Sequence, residues 1–413
     1  MGRIPYGGRL RLGLPWPILG LDPASLSDGF SALFASAVFD PLYGLDTAGN
    51  PYPTLADALP TKLDGGSKVT LRPGLKSGSG RPLTADDVVS SVGRARARGA
   101  AGVLGELDDP RLVPADALSV VFSRSAPDQV ARALASPLVP LVPRGFSPLT
   151  PDGTGAFRVE LRRGRATFTR NPNAARGSAF LDSIEVTAVS DLAELLRSFE
   201  SGASDVGWFG TGLYRVVKDA VGFEAPRYAF AVLLSGKQAG AWGAPGALQP
   251  LLDAVPAQQL AHLGLRALPA QALGTARWGG PATNIAVQTG APQLVAVARA
   301  LGATLSTPGH ELTVVERNAE ELGGLRDTRQ FGLMLDLVRA GPTPREVELA
   351  LRTAASPEAA KRAPKTASLQ PRELGRQLAL GVIGELSVYG ARRASLVGLE
   401  SWQLGAVWTR KSA

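Results

Sequence analysis

The stretch Leu71-Arg-Pro-Gly-Leu-Lys-Ser-Gly-Ser-Gly-Arg-Pro-Leu-Thr-Ala-Asp-Asp-Val88 decides how the rest of the chain is read. Val69-Thr70-Leu71 is a short β-type run, and Pro73-Gly74 closes it with turn chemistry. Gly78, Gly80 and Pro82 hold a loop open before Thr84, a residue type suited to capping a helix. Asp86 and Asp87 fall in the first turn that follows, where a helix favours negative charge. Val88, Val89 and Val92 supply an apolar stripe at helical spacing. The segment reads as strand, glycine loop and capped helix.

Further segments fall into place on either side. Tyr6-Gly-Gly-Arg-Leu-Arg-Leu12 reads as an opening strand, with Leu21-Asp-Pro-Ala24 in the loop after it. Phe39-Asp-Pro-Leu-Tyr43 and Leu55-Ala-Asp-Ala58 precede the quoted stretch. Gly153-Thr-Gly-Ala-Phe157, Leu181-Asp-Ser-Ile184 and Gly202-Ala-Ser-Asp205 follow it. In this order the segments resemble the peptide/nickel-type (family 5) extracellular solute-binding proteins of ABC importers. The resemblance implies an α/β, bilobed, type-II periplasmic-binding-protein-like fold with an extra subdomain in the first lobe. Lobe one would comprise 1–40, 150–228 and 385–413, the subdomain 41–149, and lobe two 229–384. Strands near Tyr228 and Tyr389 would cross between the lobes. The implied function is capture of a peptide-like or other small organic solute in the cleft and its delivery to an ABC permease. A binding-protein scaffold repurposed for extracytoplasmic interactions, with a vestigial cleft, is the alternative.

Bulk properties bound these expectations. The chain has 413 residues, of which 45% are hydrophobic and 19% charged, as in ordinary globular proteins with two or three domains. No apolar run approaches the roughly 18 residues that a spanning helix needs. Met1-Gly-Arg-Ile-Pro5 lacks the apolar core of a signal peptide. By itself that suggests a cytosolic protein, whereas the resemblance suggests a periplasmic or extracytoplasmic one whose leader, or lipid-bearing cysteine, has been removed. With no cysteine, the chain has no disulfide framework, thiolate metal site or cysteine nucleophile. The net charge of +8 invites a nucleic-acid reading, yet acidic residues are interspersed and no basic stripe alternates with stacking aromatics. No nucleic-acid partner is expected, and a monomer is.

Periodicity organises the chain more finely. Helices are predicted over Ala85–Ala97 and Asp128–Ala135, and a hairpin joins Phe157–Leu161 to Ala166–Arg170 through Arg163-Gly164. Ile184–Val189, Asp191–Glu200 and Asp205–Phe209 form a β-α-β unit, which implies neighbouring parallel strands. The same rhythm returns in Gln293–Leu301, Leu312–Glu316, Ala319–Leu325 and Phe331–Val338. Gly236–Pro250 and Ala354–Pro371 read as linkers, and Pro250 and Pro256 interrupt helical pairing between 247 and 260. Trp402 and Trp408 alternate with apolar neighbours, so the C-terminus is expected to pack onto a core.

Catalysis finds little support. His262 and His310 have no ligand spacing, and the nucleophile-elbow, Walker A and zinc-protease motifs are absent. Asp86/Asp87, Asp108/Asp109 and Glu320/Glu321 are adjacent pairs, which do not face each other on a helix. No enzyme activity, metal or cofactor is expected. For binding, Trp16 follows the first strand and Trp208-Phe209 ends the Asp205 strand, where side chains line a crevice at strand carboxyl ends. Tyr214, Trp242 and Tyr389 are further ligand-binding candidates near the expected lobe boundary.

The second lobe departs from the family pattern. Ser235-Gly236 stands where an asparagine is usual. Phe331-Gly-Leu-Met-Leu-Asp-Leu-Val-Arg-Ala-Gly-Pro342 lacks the usual tryptophan and the acid that receives a peptide amino terminus. A conventional peptide-backbone clamp is therefore not expected.

Overall fold

The computed structural model describes residues 7–14, 18–24, 29–46, 48–105, 107–189, 191–208, 220–256, 260, 263, 265–267, 277–289, 291–340, 344–356, 358–359, 362 and 369–393. β1 (Arg9–Leu14) alternates polar and apolar positions, and Leu10, Leu12 and Leu14 are all buried. α1 (Gly29–Val38) lays Phe30 and Phe34 against Phe168, with the Phe34 and Phe168 rings stacked at 5.0 Å.

The extra subdomain has its own sheet and its own apolar cluster. β2 (Tyr43–Leu45) pairs with β3 (Pro51–Pro53). β4 (Thr61–Leu63) and β5 (Gly66–Thr70) lead through the signature loop into α2 (Ala85–Ala95). A π-helical turn over Arg96–Ala100 then carries the chain directly into α3 (Ala101–Leu104). The helix therefore runs beyond its expected end, and the Arg96 guanidinium donates forward to the Leu107 carbonyl at 2.7 Å. β6 (Arg111–Val113), β7 (Asp116–Phe122) and α4 (Pro127–Ala133) complete the unit, with sheet order β4-β5-β7-β6. Val88, Val92, Phe122 and Val130 sit together in its core.

One surface carboxylate of this sheet offers a pH test. Asp116 accepts from Lys68 Nζ at 3.0 Å and from the Leu118 backbone N–H at 3.1 Å. Hydrogen bonding from Ser119, then from Lys68, draws its carboxyl down to about 2. The folded value lies below the unfolded one of about 3.9. The ionised group's contribution is thus present above pH ~4 and lost as pH falls toward about 2. An NMR titration should find the Asp116 midpoint near 2, moving upward in Lys68→Met; a native midpoint near 4 would contradict the geometry.

The signature loop docks on the Gly153-Thr-Gly155 turn. Gly78 N–H donates to the Gly153 carbonyl at 2.7 Å, and the Asp152 carboxylate accepts from Ser79 N–H at 2.9 Å and from its hydroxyl at 2.6 Å. Gly155 N–H donates to the Val38 carbonyl at 2.8 Å, and Thr154 Oγ1 to Asp40 at 3.0 Å. Burial pushes the Asp40 carboxyl up, against the opposing influence of Arg176 and Thr154. The two glycines let backbone meet backbone here, so the turn is structural.

Lobe one continues with β8 (Phe157–Arg162) and β9 (Arg165–Arg170), a hairpin in which Gly164 adopts φ +71°. β10 (Ser183–Ala188), α5 (Leu192–Glu200) and β11 (Val206–Trp208) follow. β10 and β11 are parallel but not neighbours, because β1 lies between them and pairs in parallel with both. A local β-α-β pattern sets the direction of two strands; a strand from the chain's beginning can still be inserted between them.

β12 (Ala220–Ser235) runs out of lobe one and into lobe two. The expected linker after it is structured: a 3₁₀ segment spans Lys237–Gly243, and α6 (Leu248–Asp253) follows. Pro250 lies in the first turn of α6, where a missing N–H removes no helical bond. β13 (Leu265–Ala267), β14 (Thr283–Gln288), α7 (Pro292–Leu305), β15 (Leu312–Arg317) and α8 (Ala319–Thr328) build most of the lobe. β16 (Leu333–Arg339), α9 (Pro344–Ala355) and α10 (Pro371–Gly375) complete it, and β17 (Leu380–Arg393) returns to lobe one. One sheet thus threads both lobes in the order β15-β14-β16-β12-β17-β11-β1-β10-β9-β8, with β13 added to β17. This is the bilobed α/β architecture that the sequence implied. Trp402 and Trp408 lie outside the described residues.

Candidate functional site

Strand direction and register locate the crevice. β12 and β17 are the two strands that cross between the lobes, pairing from Ala220↔Arg393 to Leu234↔Leu380. Their ladder is irregular between Pro226 and Phe230, where the β17 partners are Ser387 and Glu385. Tyr228 lies in that irregularity. A bulge bends a strand and loosens its pairing, as a hinge requires. β11 braces β17 at Gly390–Arg392, and β13 braces it at Gly384–Leu386, leaving Ser387–Tyr389 between the two braces.

The other strands point toward this crossing. In lobe two, Arg339 at the end of β16 pairs with Ala229, and β14 and β15 run parallel to β16. In lobe one, Trp208 at the end of β11 pairs with Gly390, while β1 and β10 run parallel to β11. Strands of both lobes therefore present their carboxyl ends to the gap, the position at which open α/β sheets bind ligands. The last residues of these strands are Leu14, Ala188 and Trp208 on one side and Gln288, Arg317 and Arg339 on the other.

Helices begin just beyond these ends. Asp191 caps α5 by accepting from Ala193 N–H at 2.8 Å. Asn318 caps α8 by accepting from Glu321 N–H at 2.9 Å, and the Glu321 carboxylate accepts from Asn318 N–H at 3.3 Å. α7 and α9 each open with proline, at Pro292 and Pro344. First turns carry unpaired N–H groups and a partial positive charge, so this rim favours acceptor groups on a ligand. Gln288, Thr289 and Asn318 escaped the sequence-based candidates. Their signal was present: a strand, a polar cap, then a helix.

The candidates fall unevenly on this geometry. Trp208 ends β11 at the crevice side, opposite Gly390, and Tyr389 is the next residue of β17 in the crossing. The backbone thus brings these two positions together. Trp16, Phe209 and Tyr214 lie outside the described residues. Trp242 is elsewhere. It follows the far end of β12, where the roughly 20 Å of strand from Ala229 to Ser235 separates it from the crossing. There its ring lies 4.8 Å from that of fully buried Trp278. Its position in the sequence suggested the lobe boundary, but the length of β12 carries it to the opposite pole, where it packs.

Asp336 is also committed. Its carboxylate accepts from Arg326 on α8 at 2.6 Å and from Leu337 N–H at 2.9 Å. With 7% exposure it serves a partly buried ion pair and is unavailable to a ligand ammonium. No metal-ligating cluster occurs among the described residues, and His262 lies outside them. His310 sits in a turn with Nδ1 2.5 Å from the Gly280 carbonyl. A groove of about 370 Å³, lined by Ser79, Asp152, Arg158 and Glu160 among others, lies along the outer edge strand β8 and is not the crevice.

Comparison with known proteins agrees with this architecture. Residues 50–227 match the family described as bacterial extracellular solute-binding proteins, family 5 middle. The whole chain superposes on the oligopeptide-binding protein AppA from Bacillus subtilis, solved with a nonapeptide (TM-score 0.72, 13% identity, 99% of this chain and 100% of that one). It is also similar to NikA from Staphylococcus aureus with Ni(L-His)2 (TM-score 0.68, 14% identity, 94% and 95% covered). MoaA from A. tumefacien R10 with mannopinic acid gives a TM-score of 0.69 at 18% identity over 93% and 94% of the chains. No curated protein matches the sequence. The segment 50–227 thus matches family 5 of the bacterial extracellular solute-binding proteins, and the chain as a whole has the fold of bilobed binding proteins. The family match ends at residue 227, where the chain crosses into lobe two, while the fold continues.

Proposed function

We propose that the chain captures a small solute between its lobes outside the cytoplasmic membrane and hands it to an ABC permease. One observation carries this reading: a single sheet crosses the gap on two strands, and the carboxyl ends on both sides face it. Solute touching both rims stabilises the closed arrangement in proportion to its preference for that state. The permease then reads closure. The working division is lobe one at 1–40, 150–228 and 385–413, subdomain 41–149 and lobe two 229–384, in a protein that acts as a monomer without catalysis. Anchoring through an N-terminal lipid fits the same role.

The commitment of Asp336 to Arg326 argues against a peptide amino-terminal clamp at that position. Structural relatives were solved with a nonapeptide, with Ni(L-His)2 and with mannopinic acid, which makes these the first solutes to screen. Native mass spectrometry of protein purified gently from its host should reveal a stoichiometric small adduct. Re-adding the extracted solute should compact the protein in X-ray scattering and raise its melting temperature. A clean apo mass with no stabilisation by peptides, opines or metal chelates would defeat the proposal. Trp208→Ala should weaken binding of the extracted solute about tenfold or more, as for a buried aromatic anchor. Unchanged affinity in isothermal titration would remove Trp208 from the site.

A further inference from the structure

The lobes also touch away from the crossing strands. α9 of lobe two packs against α3 and the π-helical turn Arg96–Ala100 of the subdomain. The segment Gly99-Ala-Ala-Gly102 has little side-chain bulk, which permits a close approach of helices. On α9, Ala350, Leu351 and Ala355 join the core of lobe two. Glu348, Leu349 and Arg352 occupy the sector beside them, and Leu349 is 4% exposed although it belongs to neither adjoining core.

We propose that the π turn and α3 cover this sector, and that the contact is a latch closing the lobes without solute, held weak by Glu348. Glu348 is 1% exposed. Its Oε1 accepts from Arg352 Nε at 2.9 Å and lies 2.7 Å from Nη2, while Oε2 is buried with no partner among the described residues. A buried carboxylate oxygen without a donor opposes the arrangement that buries it. Opening the lobes would hydrate that oxygen and expose Leu349. The two effects oppose each other, which keeps both arrangements accessible. A closed population present before binding raises the apparent affinity for any solute that the closed state prefers.

The latch presupposes the binding role for its purpose, not for its test, because every measurement below is made without solute. The chain has no cysteine, so Lys62→Cys and Glu320→Cys, both exposed, place spin labels selectively on the subdomain and on lobe two. Leu349→Asp should shift the distance distribution to longer values, and amide exchange across 96–104 should accelerate about tenfold. Arg352→Glu, which sets like charges four residues apart, should do the same and serves if Leu349→Asp fails to fold. The double variant Glu348→Met/Arg352→Met removes the buried charges and should narrow the distribution toward the short distance. Distances and exchange unchanged in a folded Leu349→Asp or Arg352→Glu protein, or opening in the double variant, would overturn the latch. Solute binding lost with the latch intact would count only against the function proposed above.

Discussion

Replacing Gly153 with alanine is expected to disrupt the first lobe, at a cost above about 4 kcal/mol. A Cβ at this position would stand 2.2 Å from the Val38 carbonyl oxygen and 2.5 Å from Phe39 Cδ1. The first of those atoms is backbone, and it already receives the Gly155 N–H at 2.8 Å. Relief would require moving the end of α1 away from the turn. That would pull apart Thr154 and Asp40 and release the loop that Gly78 anchors to the Gly153 carbonyl. Gly164 is the control. It has φ +71°, but nothing lies within 4 Å of its missing side chain, so alanine there should cost only about 1–2 kcal/mol. Urea unfolding followed by circular dichroism compares the two, and a Gly153→Ala midpoint as high as that of Gly164→Ala would refute the close-approach account.

Asp87→Ala should be the next most damaging, at about 2–4 kcal/mol. The Asp87 carboxylate is buried and accepts from Thr84 N–H at 2.9 Å, Arg144 N–H at 2.7 Å and Arg81 Nη2 at 3.1 Å. It thereby pins the start of α2 both to the signature loop and to the segment after Leu141. Removing it strips an acceptor from two backbone N–H groups and leaves the Arg81 guanidinium, among the described residues, with the Arg144 carbonyl at 2.7 Å. Asp86, one position earlier, is exposed, and alanine there should change stability by no more than about 0.5 kcal/mol. Equal losses for Asp86→Ala and Asp87→Ala in the same unfolding experiment would show that both act only through the helix dipole.

The two aspartates show where sequence reading stops. Both were legible as helix-start charges, because the capping position and first turn are local. Which one is buried depends on Arg144, 57 positions away, and no local pattern reports that contact. The crevice repeats the lesson. Trp208 and Tyr389 were recognisable candidates because each ends or follows a β-run, and the ladder places Trp208 beside that neighbourhood. Trp242 was misplaced because a 16-residue strand reads like a shorter one plus a loop, and only the register of β12 with β16 and β17 shows how far it travels. Gln288 and Asn318 were passed over because a polar residue between strand and helix reads first as a cap, which Asn318 also is.

By itself the sequence determined the alternation of strands and helices, the signature loop with its capped helix, the family of the segment 50–227 and the hairpin at Gly164. Each depends on residues close together in the chain, through periodicity, turn chemistry and capping. Tertiary structure alone decided that β1 inserts between β10 and β11, that one sheet threads both lobes, that Asp336 belongs to Arg326, and that α9 rests on the subdomain. Those outcomes depend on which distant surfaces bury each other, and burial is a property of the whole packed chain rather than of any window along it.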